Sequence, residues 1–240
     1  MAGKVNNYQG EIQKQMLSII HVNAQSLLCN FNEVELLMNN KEIDILCISE
    51  TWLTSEILDS YIDIQGFNVF RNDKGRGGGV CMYVRDDLNI TKILPRTTPH
   101  ERVECLWLNI QHKKLPSVLV GTVYRHPKAQ VSSYEYLFDI FSEMTLKTKP
   151  LFVLGDFNDD QLSDNPKLKQ IIKNLKLNQL IDKPTRITPS SKTLLDLIIT
   201  NKPDIILESD VNPCDVGDHE MINVIVDISK PKRSPTYKTV

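Results

Sequence analysis

Polar side chains that could exchange protons or bind a metal follow several buried, strand-like runs in this sequence. Residues 151–154 (Leu-Phe-Val-Leu) form one such run, and Asp156 and Asn158 come directly after it. We expect Gly155 to end the strand and turn the backbone sharply. A buried strand that delivers a carboxylate and an amide to its tip can found an active site. The alternative is a local turn in which Asp156 and Asn158 bind only nearby backbone groups.

The same pattern recurs at other predicted strand ends. Asn23, Glu50 and Tyr124 (followed by Arg125) lie at such ends, Asp218 and His219 come just before the last strand, and Asp196 lies within the preceding one. Each residue alone has a structural explanation. Asn23 could cap a helix, for example, and His219 could be a loop histidine whose hydrogen bonds are all made within the protein. Together, these oxygen-rich side chains suit Mg²⁺ or Mn²⁺ better than Zn²⁺, which prefers more His or Cys ligands. A metal, a carboxylate base and an Asp–His pair suit hydrolysis of a phosphate ester.

These residues must be positioned by a scaffold, which the sequence predicts to be one mixed α/β domain with a large β core. The apolar patterns predict strands at 16–22, 43–48, 67–70, 79–84, 103–110, 117–124, 151–154, 193–200 and 221–228, and helices at 31–38, 134–146 and 166–177. Residues 67–70 and 79–84 are predicted to form a hairpin. The glycines at 77–79 then mark a turn with a close backbone contact, since they lack the spacing of a nucleotide-binding loop. Trp52 and Trp107 are predicted to lie in the core.

Composition narrows the function class. The chain has 240 residues and a net charge of −2, so any binding of a polyanion must depend on local patches or on a metal. Its five cysteines are odd in number and not closely spaced, which predicts reduced core thiols in an intracellular protein. No apolar run is long enough to span a membrane, and residues 1–15 lack the apolar segment of a signal peptide.

Seven stretches, at 19–27, 44–53, 77–84, 121–127, 154–158, 184–201 and 217–220, carry motifs in a recognisable order. They include Glu-Thr-Trp-Leu from Glu50, Val-Tyr-Arg ending at Arg125 and Gly-Asp-Phe-Asn from Gly155. The chain resembles the exonuclease–endonuclease–phosphatase superfamily, and in detail the apurinic-like endonuclease domain of non-LTR (LINE-type) retrotransposons. The resemblance covers about residues 16–228.

The resemblance implies an α+β fold of two packed mixed β-sheets flanked by helices, a four-layer sandwich of the deoxyribonuclease and apurinic endonuclease type. This domain would span residues 16–229, between a flexible arm at 1–15 and the start of a linker at 230–240. The implied activity is Mg²⁺-dependent nicking of one strand of double-stranded DNA, with Mn²⁺ as a substitute. The nick would leave a 5′-phosphate and a 3′-hydroxyl that primes reverse transcription.

The implied setting is a monomeric domain, without membrane contact, joined to a reverse transcriptase domain of the same polyprotein. It would act in the nucleus after synthesis in the cytoplasm. Two alternatives are open: a phosphoesterase of the same superfamily that acts on RNA or phosphoinositides, and a non-catalytic DNA-binding relic. Completeness of the polar set argues against the relic.

The resemblance also implies residue roles. Glu50, Asn23 and Asp218 would form the metal site. Asp156 would activate the attacking water or, in some mechanisms, protonate the leaving group, and Asn158, Tyr124, Asp196 and His219 would complete the catalytic set. The implied DNA contacts are Arg71, Arg76, Arg125, Arg186, Thr188, Lys192 and Thr193. Two departures stand out: Gln25 replaces an acidic residue of some relatives, which weakens any second metal site, and Gly217 replaces a common serine.

Overall fold

The computed structural model of the protein describes residues 16–40, 42–112 and 115–230. The predicted arm at 1–15 and nearly all of the predicted linker at 230–240 lie outside the described residues, so these two boundaries stay predictions. None of the helices in the described part of the chain has the length and apolarity needed to cross a membrane.

Strands dominate the described chain. They are β1 (Met16–Asn23), β2 (Ile45–Ser49), β3 (Phe67–Asn72), β4 (Val80–Arg85), β5 (Asn89–Ile93), β6 (Val103–His112), β7 (Leu115–Arg125), β8 (Leu151–Asp156), β9 (Asn178–Gln179), β10 (Arg186–Ile187), β11 (Lys192–Thr193), β12 (Asp196–Thr200), β13 (Ile206–Asn212) and β14 (Met221–Ser229). The α-helices are α1 (Phe31–Asn40), α2 (Ser132–Thr145) and α3 (Lys167–Asn174), and short 3₁₀ turns occupy Asp59–Tyr61 and Pro203–Ile205.

The strands form two six-stranded mixed sheets and one small hairpin. The first sheet has the order β13-β14-β1-β2-β4-β3, and the second has the order β5-β6-β7-β8-β12-β9. Only β1–β2 and β7–β8 are parallel pairs among the described strands. The hairpin β10–β11 stands apart from both sheets. The predicted β3–β4 hairpin is confirmed as an antiparallel pair.

The layers follow from which face of each strand is apolar. The inner face of the first sheet packs on the second sheet, whose other face is covered by α2 and α3 through residues such as Phe141 and Leu168. The outer face of the first sheet packs on α1 through Val34 and Met38. Strands β2, β4 and β8 are buried along their whole length, because each lies inside a sheet that is covered on both faces. This arrangement confirms the predicted α+β sandwich.

Several local predictions need correction. Gly155 lies inside β8 and does not turn the chain; a Cβ there would come within 1.9 Å of the Val123 carbonyl oxygen, so glycine is required by the close approach of β7.

The predicted strand at 193–200 is interrupted between β11 and β12. The sequence pattern does not predict the sheet-edge strands β5 and β13, because none of their residues is fully buried and they lack an apolar period. Trp107 is buried in the core as predicted, whereas Cys29 is an exposed thiol.

Candidate active site

The ends of the central strands meet at one edge of the packed sheets. Tyr124 lies opposite Asp156 across the parallel β7–β8 pair, and Asp196 lies opposite Asp156 across the antiparallel β8–β12 pair. In the first sheet, Asn23 lies opposite Ser49, directly before Glu50. Side-chain contacts and electrostatic interactions join the polar residues predicted from the sequence: Asn23, Glu50, Tyr124, Asp156, Asn158, Asp196, Asp218 and His219.

Asp156 is a buried carboxyl group at the centre of this edge. Its Oδ1 accepts the backbone N–H of Asn158 (2.9 Å), and its Oδ2 accepts the side-chain amides of Asn23 (3.0 Å) and Asn158 (3.2 Å). Burial, followed by the nearby charge of Asp196, raises the pKa of Asp156 to about 8. The local turn predicted as an alternative is therefore present, since Asp156 accepts the Asn158 N–H. The Asp156 carboxyl group is not only a turn residue, however, because its pKa suits proton transfer near neutral pH.

Glu50 is held by two donors at the tip of β2. Its Oε1 accepts the Asn23 amide at 3.0 Å, and its Oε2 accepts the Trp52 indole N–H at 3.2 Å. The Asn23 amide thereby bridges Glu50 and Asp156, and its own oxygen accepts the Gln25 backbone N–H at 3.2 Å. An oxygen ligand from Asn23 would therefore use the second lone pair of that atom. Trp52 is half-buried beside the carboxylate, so its predicted place in the core is wrong.

Asp196 and His219 form a buried ion pair. The His219 Nδ1 lies 2.7 Å from Asp196 Oδ2, which leaves Nε2 as the ring nitrogen that can meet a substrate. Burial opposes protonation of His219, but the Asp196 carboxylate outweighs this effect and raises the pKa of the imidazole to about 9. The ring is therefore an imidazolium at neutral pH.

A second histidine lies behind the pair. His21 Nδ1 is 3.6 Å from Asp196 Oδ1, and His21 Nε2 is 3.1 Å from the Ser49 hydroxyl. Burial lowers the pKa of His21 to about 4, so this ring is neutral. Asp196 thus lies between one charged and one neutral imidazole, which restricts its orientation.

Tyr124 and Glu104 border Glu50 on the side of the second sheet. Burial, then the charges of Glu50 and Asp156, raises the pKa of the Tyr124 hydroxyl, which remains protonated and able to donate. Glu104 lies opposite Tyr124 in the β6–β7 pair and accepts the backbone N–H of Gly79. A Cβ on Gly79 would lie 2.5 Å from the Thr51 hydroxyl, so the predicted close backbone contact of the glycine turn is confirmed.

Backbone strain concentrates at this edge. Glu50 (φ 52°), Trp52 (φ 55°) and Asn158 (φ 45°) adopt the left-handed conformation, as do Gln25 (φ 42°) and Ser26 (φ 91°) after β1. Such residues each cost about 1–3 kcal/mol and persist where the surroundings over-determine them, as at active sites. The strain therefore marks the same edge as the carboxylates.

The residues at this edge fit a divalent metal ion. Candidate ligand atoms of Asp156, Asp196 and His219 all lie within 4.8 Å of one another; the two carboxyl groups offer the oxygen ligands that Mg²⁺ prefers, whereas the imidazolium of His219 has no lone pair to offer. Among the described residues, Asp196 Oδ1 is buried without a hydrogen-bond partner, and burial followed by the charge of Asp196 raises the pKa of Asp156, so the ionised form of this carboxyl group lacks a compensating charge. A divalent cation would supply the missing charge. Glu50, one of the predicted ligands, adjoins this group through the Asn23 bridge.

We expect the metal-free protein to lose stability as the pH rises from about 6.5 to about 9. The folded-state pKa values of His219 (about 9) and Asp156 (about 8) exceed the ordinary values of 6.5 and 3.8, so the folded protein holds protons that the unfolded chain releases. The contribution of His219 is complete below pH 6.5 and is lost as the pH rises through 9; that of Asp156 is complete below 3.8 and is lost through 8. Each extra bound proton lowers the free energy of unfolding by about 1.4 kcal/mol per pH unit.

Urea unfolding in a chelator at a series of pH values checks this expectation. The curves of His219→Gln and Asp156→Asn should be flatter than that of the wild type. A wild-type stability that is constant or rises over this interval would contradict the assignment of these pKa values.

Asp218 lies at the exposed rim of the site. Its Oδ2 accepts a bidentate contact from Arg186 (2.8 and 3.0 Å), and its Oδ1 accepts the Gln25 side-chain amide at 2.5 Å. The preceding Gly217 has φ 71°, and a Cβ there would lie 2.4 Å from the Asn23 carbonyl oxygen, which explains why serine is replaced at this position. The Arg186 contact fastens the base of hairpin β10–β11 to the loop that carries His219.

Five of the predicted DNA contacts lie on surfaces beside the site. Arg76 is exposed and stacks 5.9 Å from the centre of the Trp52 ring. Arg186, Thr188, Lys192 and Thr193 belong to hairpin β10–β11, whose tip is closed by hydrogen bonds between the Thr188 hydroxyl and the hydroxyls of Ser190 and Ser191. Lys192 is exposed, and Arg186, Thr188 and Thr193 are partly exposed.

Two predicted DNA contacts do not fit their surroundings. The Arg71 guanidinium is only 12% exposed and binds Asp73, Asp59 and two backbone carbonyls, so it fastens the loop before β3. Arg125 is buried, and its guanidinium is directed at protein carbonyls beneath the site. Neither arginine has a guanidinium free to receive a DNA phosphate.

The sequence interpretation also missed several residues of the site. His21 could have been found from its place two residues before Asn23, since alternate residues share one face of a strand. Thr185 had no such signal; its hydroxyl accepts the backbone N–H groups of Leu195 (3.1 Å) and Asp196 (3.0 Å) and fixes the start of β12. The roles of Trp52 and Glu104 likewise depend on contacts between distant segments.

Comparison with known proteins places this geometry in context. The model of the Endonuclease/Exonuclease/phosphatase family matches residues 20–219. The endonuclease domain of TRAS1, a telomere-specific non-LTR retrotransposon, has a TM-score of 0.70 at 19% identity over 89% of this chain and 100% of that domain. A search of curated proteins gave no match.

Two further solved structures have the same fold. A 3′–5′ exonuclease from Neisseria meningitidis has a TM-score of 0.69 at 15% identity, and the match covers 88% of this chain and 100% of the other. An AP endonuclease from Archaeoglobus fulgidus has a TM-score of 0.67 at 15% identity, again over 88% and 100%. At these identities the likeness shows the fold, and the family match over residues 20–219 confirms the superfamily resemblance drawn from the sequence motifs.

Proposed function

Because the chain belongs to the endonuclease/exonuclease/phosphatase family, we propose that it is a divalent-metal-dependent DNA endonuclease of a non-LTR retrotransposon. It nicks one strand of double-stranded DNA, and the 3′-hydroxyl at the nick primes reverse transcription. The observation that carries the proposal is the buried cluster of Asp156, Asp196 and His219 at the strand edge, beside the strained Glu50. The fold shared with the TRAS1 endonuclease domain supports this choice among the family's activities.

The side chains divide the reaction between them. The ionised form of Asp156 takes a proton from the attacking water, whose oxygen forms a bond to phosphorus while the bond from phosphorus to the 3′-oxygen breaks. The leaving 3′-oxygen takes up a proton from solvent and becomes the 3′-hydroxyl, and the phosphate stays on the 5′ end. The His219 imidazolium donates through Nε2 to a phosphate oxygen, where negative charge builds up in the transition state. A bound Mg²⁺ or Mn²⁺ would stabilise the same charge as a Lewis acid.

Another side chain can hold the scissile phosphate without reading sequence. The protonated Tyr124 hydroxyl can donate to a phosphate oxygen. Both side-chain N–H groups of Asn158 are used within the protein, on Asp156 Oδ2 and the Arg125 carbonyl, so Asn158 acts by holding Asp156. Phosphate contacts fix the register of the DNA but carry no sequence information. Base choice is therefore assigned to the exposed hairpin β10–β11 and to Arg76, through groove contacts or DNA shape.

Exchange of the hairpin tip, residues 187–191, for that of a related endonuclease should move the cut sites and leave the nicking rate within about threefold. The exchange spares Thr185 and Arg186, which hold Asp196 and Asp218. Sequencing of the nicks made in one plasmid by both proteins checks this. If the exchanged protein cuts at the same sites and at the same rate as the wild type, the hairpin tip does not determine which DNA sequence is cut.

Trp52→Phe should raise the Mg²⁺ concentration needed for half-maximal nicking by about 10-fold, in the range typical for residues that orient a ligand. The substitution keeps an aromatic partner for Arg76 but removes the indole N–H that fixes Glu50. Calorimetric Mg²⁺ titration gives an independent readout without DNA. Trp107→Phe is the matched control, because Trp107 is buried in the core away from these carboxylates. Equal Mg²⁺ affinity in wild type and Trp52→Phe would contradict the proposed role of Trp52.

The competing function is hydrolysis of phosphate esters in RNA or phosphoinositides, since the family also contains exonucleases and phosphatases. Supercoiled plasmid with Mg²⁺ distinguishes the two. The proposal predicts conversion to the nicked circle and negligible phosphate release from a phosphoinositide or a 3′-phosphorylated oligonucleotide. The opposite pattern, with intact plasmid and rapid phosphate release, would favour the alternative.

The proposed setting follows from this activity. The domain acts on chromosomal DNA in the nucleus, as a monomer joined to a reverse transcriptase domain of the same polyprotein. The start of that connection would follow β14, whose last residues are fastened by Lys230 Nζ on Asp44 Oδ2 at 3.0 Å.

A further inference from the structure

Arg125 occupies a buried position directly beneath the candidate active site. Its Nε donates to the Ser133 hydroxyl at 2.8 Å, and its Nη2 donates to the Ala129 carbonyl at 3.0 Å. Its Nη1 donates to the carbonyls of Phe157 (3.4 Å) and Asn158 (3.3 Å). Four of the five N–H donors of a guanidinium are thereby used within the protein.

The contact with Asn158 runs in both directions. The Asn158 side-chain amide donates to the backbone carbonyl of Arg125 at 2.9 Å, while the Arg125 guanidinium donates to the carbonyl of Asn158. Asn158 is left-handed at φ 45°, a conformation that needs such over-determination. The same asparagine gives its backbone N–H and its amide to Asp156. The geometry of Asp156 therefore depends on Asn158, and that of Asn158 depends on Arg125.

The guanidinium is itself held from the other side. It lies 4.2 Å from the centre of the Tyr134 ring, and the Tyr134 hydroxyl donates to Asp159 at 2.7 Å. The Ser133 hydroxyl that receives Nε donates in turn to the Gln130 carbonyl at 2.6 Å. Ser133 and Tyr134 in the first turn of α2 thus form a socket that holds the guanidinium in one orientation. In this orientation Arg125 donates to the carbonyls of Phe157 and Asn158.

We infer that Arg125 is a positioning residue for the reaction, acting through Asn158 on Asp156, and that it makes no contact with DNA. This inference rests on the proposed function for its rate effects but stands on contacts within the protein. Loss of the guanidinium leaves the carbonyls of Phe157 and Asn158 without these donors and removes the restraint on the left-handed residue. Asp156 then loses the fixed direction from which it meets the water.

The test compares Arg125→Met, which keeps the length and apolar stem, with the wild type. We expect the single-turnover nicking rate to fall by about 30–100-fold, since misplacement by about 1 Å can cost 10²-fold. The dissociation constant for DNA should stay within about twofold, and its dependence on salt concentration should not change, because no phosphate contact is lost. Arg125→Lys, which can reach one of the carbonyls, should fall between the two.

Two control variants separate the possible causes. Arg85→Met removes another buried arginine, paired with Asp44 and Asp87 away from the site, and should cost stability while keeping the rate. Lys192→Ala removes an exposed cation of the hairpin and should lower the salt slope by about 0.9. In the metal-free protein, hydrogen exchange at the Asn158 backbone amide should speed up by about tenfold in Arg125→Met and not in Arg85→Met.

The inference is overturned if folded Arg125→Met keeps the wild-type nicking rate and the wild-type rate of hydrogen exchange at Asn158. It is also overturned if Arg125→Met binds DNA more weakly with a salt dependence reduced by about 0.9, the value for one phosphate contact. An equal loss of nicking rate in Arg85→Met would overturn it as well. If Arg125→Met does not fold, a wild-type rate and wild-type Asn158 exchange in Arg125→Lys overturn it instead. A wild-type protein that never nicks DNA contradicts the proposed function alone, and Asn158 exchange then decides the role of Arg125.

Discussion

Asp156→Asn should lower the single-turnover nicking rate by about 10²–10⁴-fold at saturating DNA, the usual contribution of a positioned acid–base group. The substitution preserves the shape of the side chain and the oxygen that accepts the Asn158 N–H, but it removes the proton acceptor. Affinity for DNA should hardly change, because Asp156 is buried and offers the DNA no cation. The effect therefore belongs to the chemical step.

Rapid-mixing measurements at saturating Mg²⁺ check this expectation. Asp160→Asn is the matched control, since the Asp160 carboxylate in the same loop accepts the backbone N–H groups of Leu162 and Leu194 and belongs to no acidic cluster among the described residues. The control should retain the wild-type rate within about threefold. A loss below about tenfold in Asp156→Asn would mean that Asp156 is chiefly a turn residue.

The second large effect concerns the Asp196–His219 pair. His219→Ala should cost about 10²–10³-fold in rate, the range for removal of one preorganised donor at the developing charge. Asp196→Asn should lose much of the same rate, because the carboxylate fixes the Nδ1 proton and keeps the imidazole charged. The double variant should be little slower than the slower single variant, since the two residues act as a unit.

The rates of the two single variants and the double variant form a thermodynamic cycle that measures this coupling. His100→Ala serves as the control, because His100 is a partly exposed loop histidine whose Nδ1 accepts the backbone N–H of Arg102. Multiplicative losses from His219→Ala and Asp196→Asn would show that the two residues act independently. A fall in DNA affinity with no change in rate would place His219 in binding rather than in chemistry.

The central layers of the fold could be predicted from the sequence because their strands are buried on both faces. Runs such as 151–154 have no polar residue, and polar residues at their ends stand out against them. Residues at the ends of parallel neighbours meet at one edge, so the sequence alone is enough to group Asn23, Glu50, Tyr124 and Asp156. The order of the motifs adds Asp196 and His219 to this group.

Residues that act through distant contacts could not be predicted in this way. Arg125 follows Tyr124 in a motif that suggests a DNA contact, but the socket formed by α2 and Tyr134 determines its role. Trp52 reads as an apolar core residue, yet the left-handed backbone at Glu50 and Trp52 directs its indole N–H to the carboxylate. The reason for Gly155 could not be predicted either. Glycine is needed there because the Val123 backbone lies too close for a Cβ, and this contact depends on the register of β7 and β8.

Polymerase extension of the nicks tests the central claim most directly. Supercoiled plasmid is treated with the wild-type domain and Mg²⁺, freed of protein, and given labelled nucleotides and a polymerase without nuclease activity, with no phosphatase step. We predict that most nicks are extended at once, because cleavage leaves a 3′-hydroxyl, and that Asp156→Asn gives almost no labelled product. Nicks that can be extended only after removal of a 3′-phosphate would contradict the priming role proposed for this endonuclease.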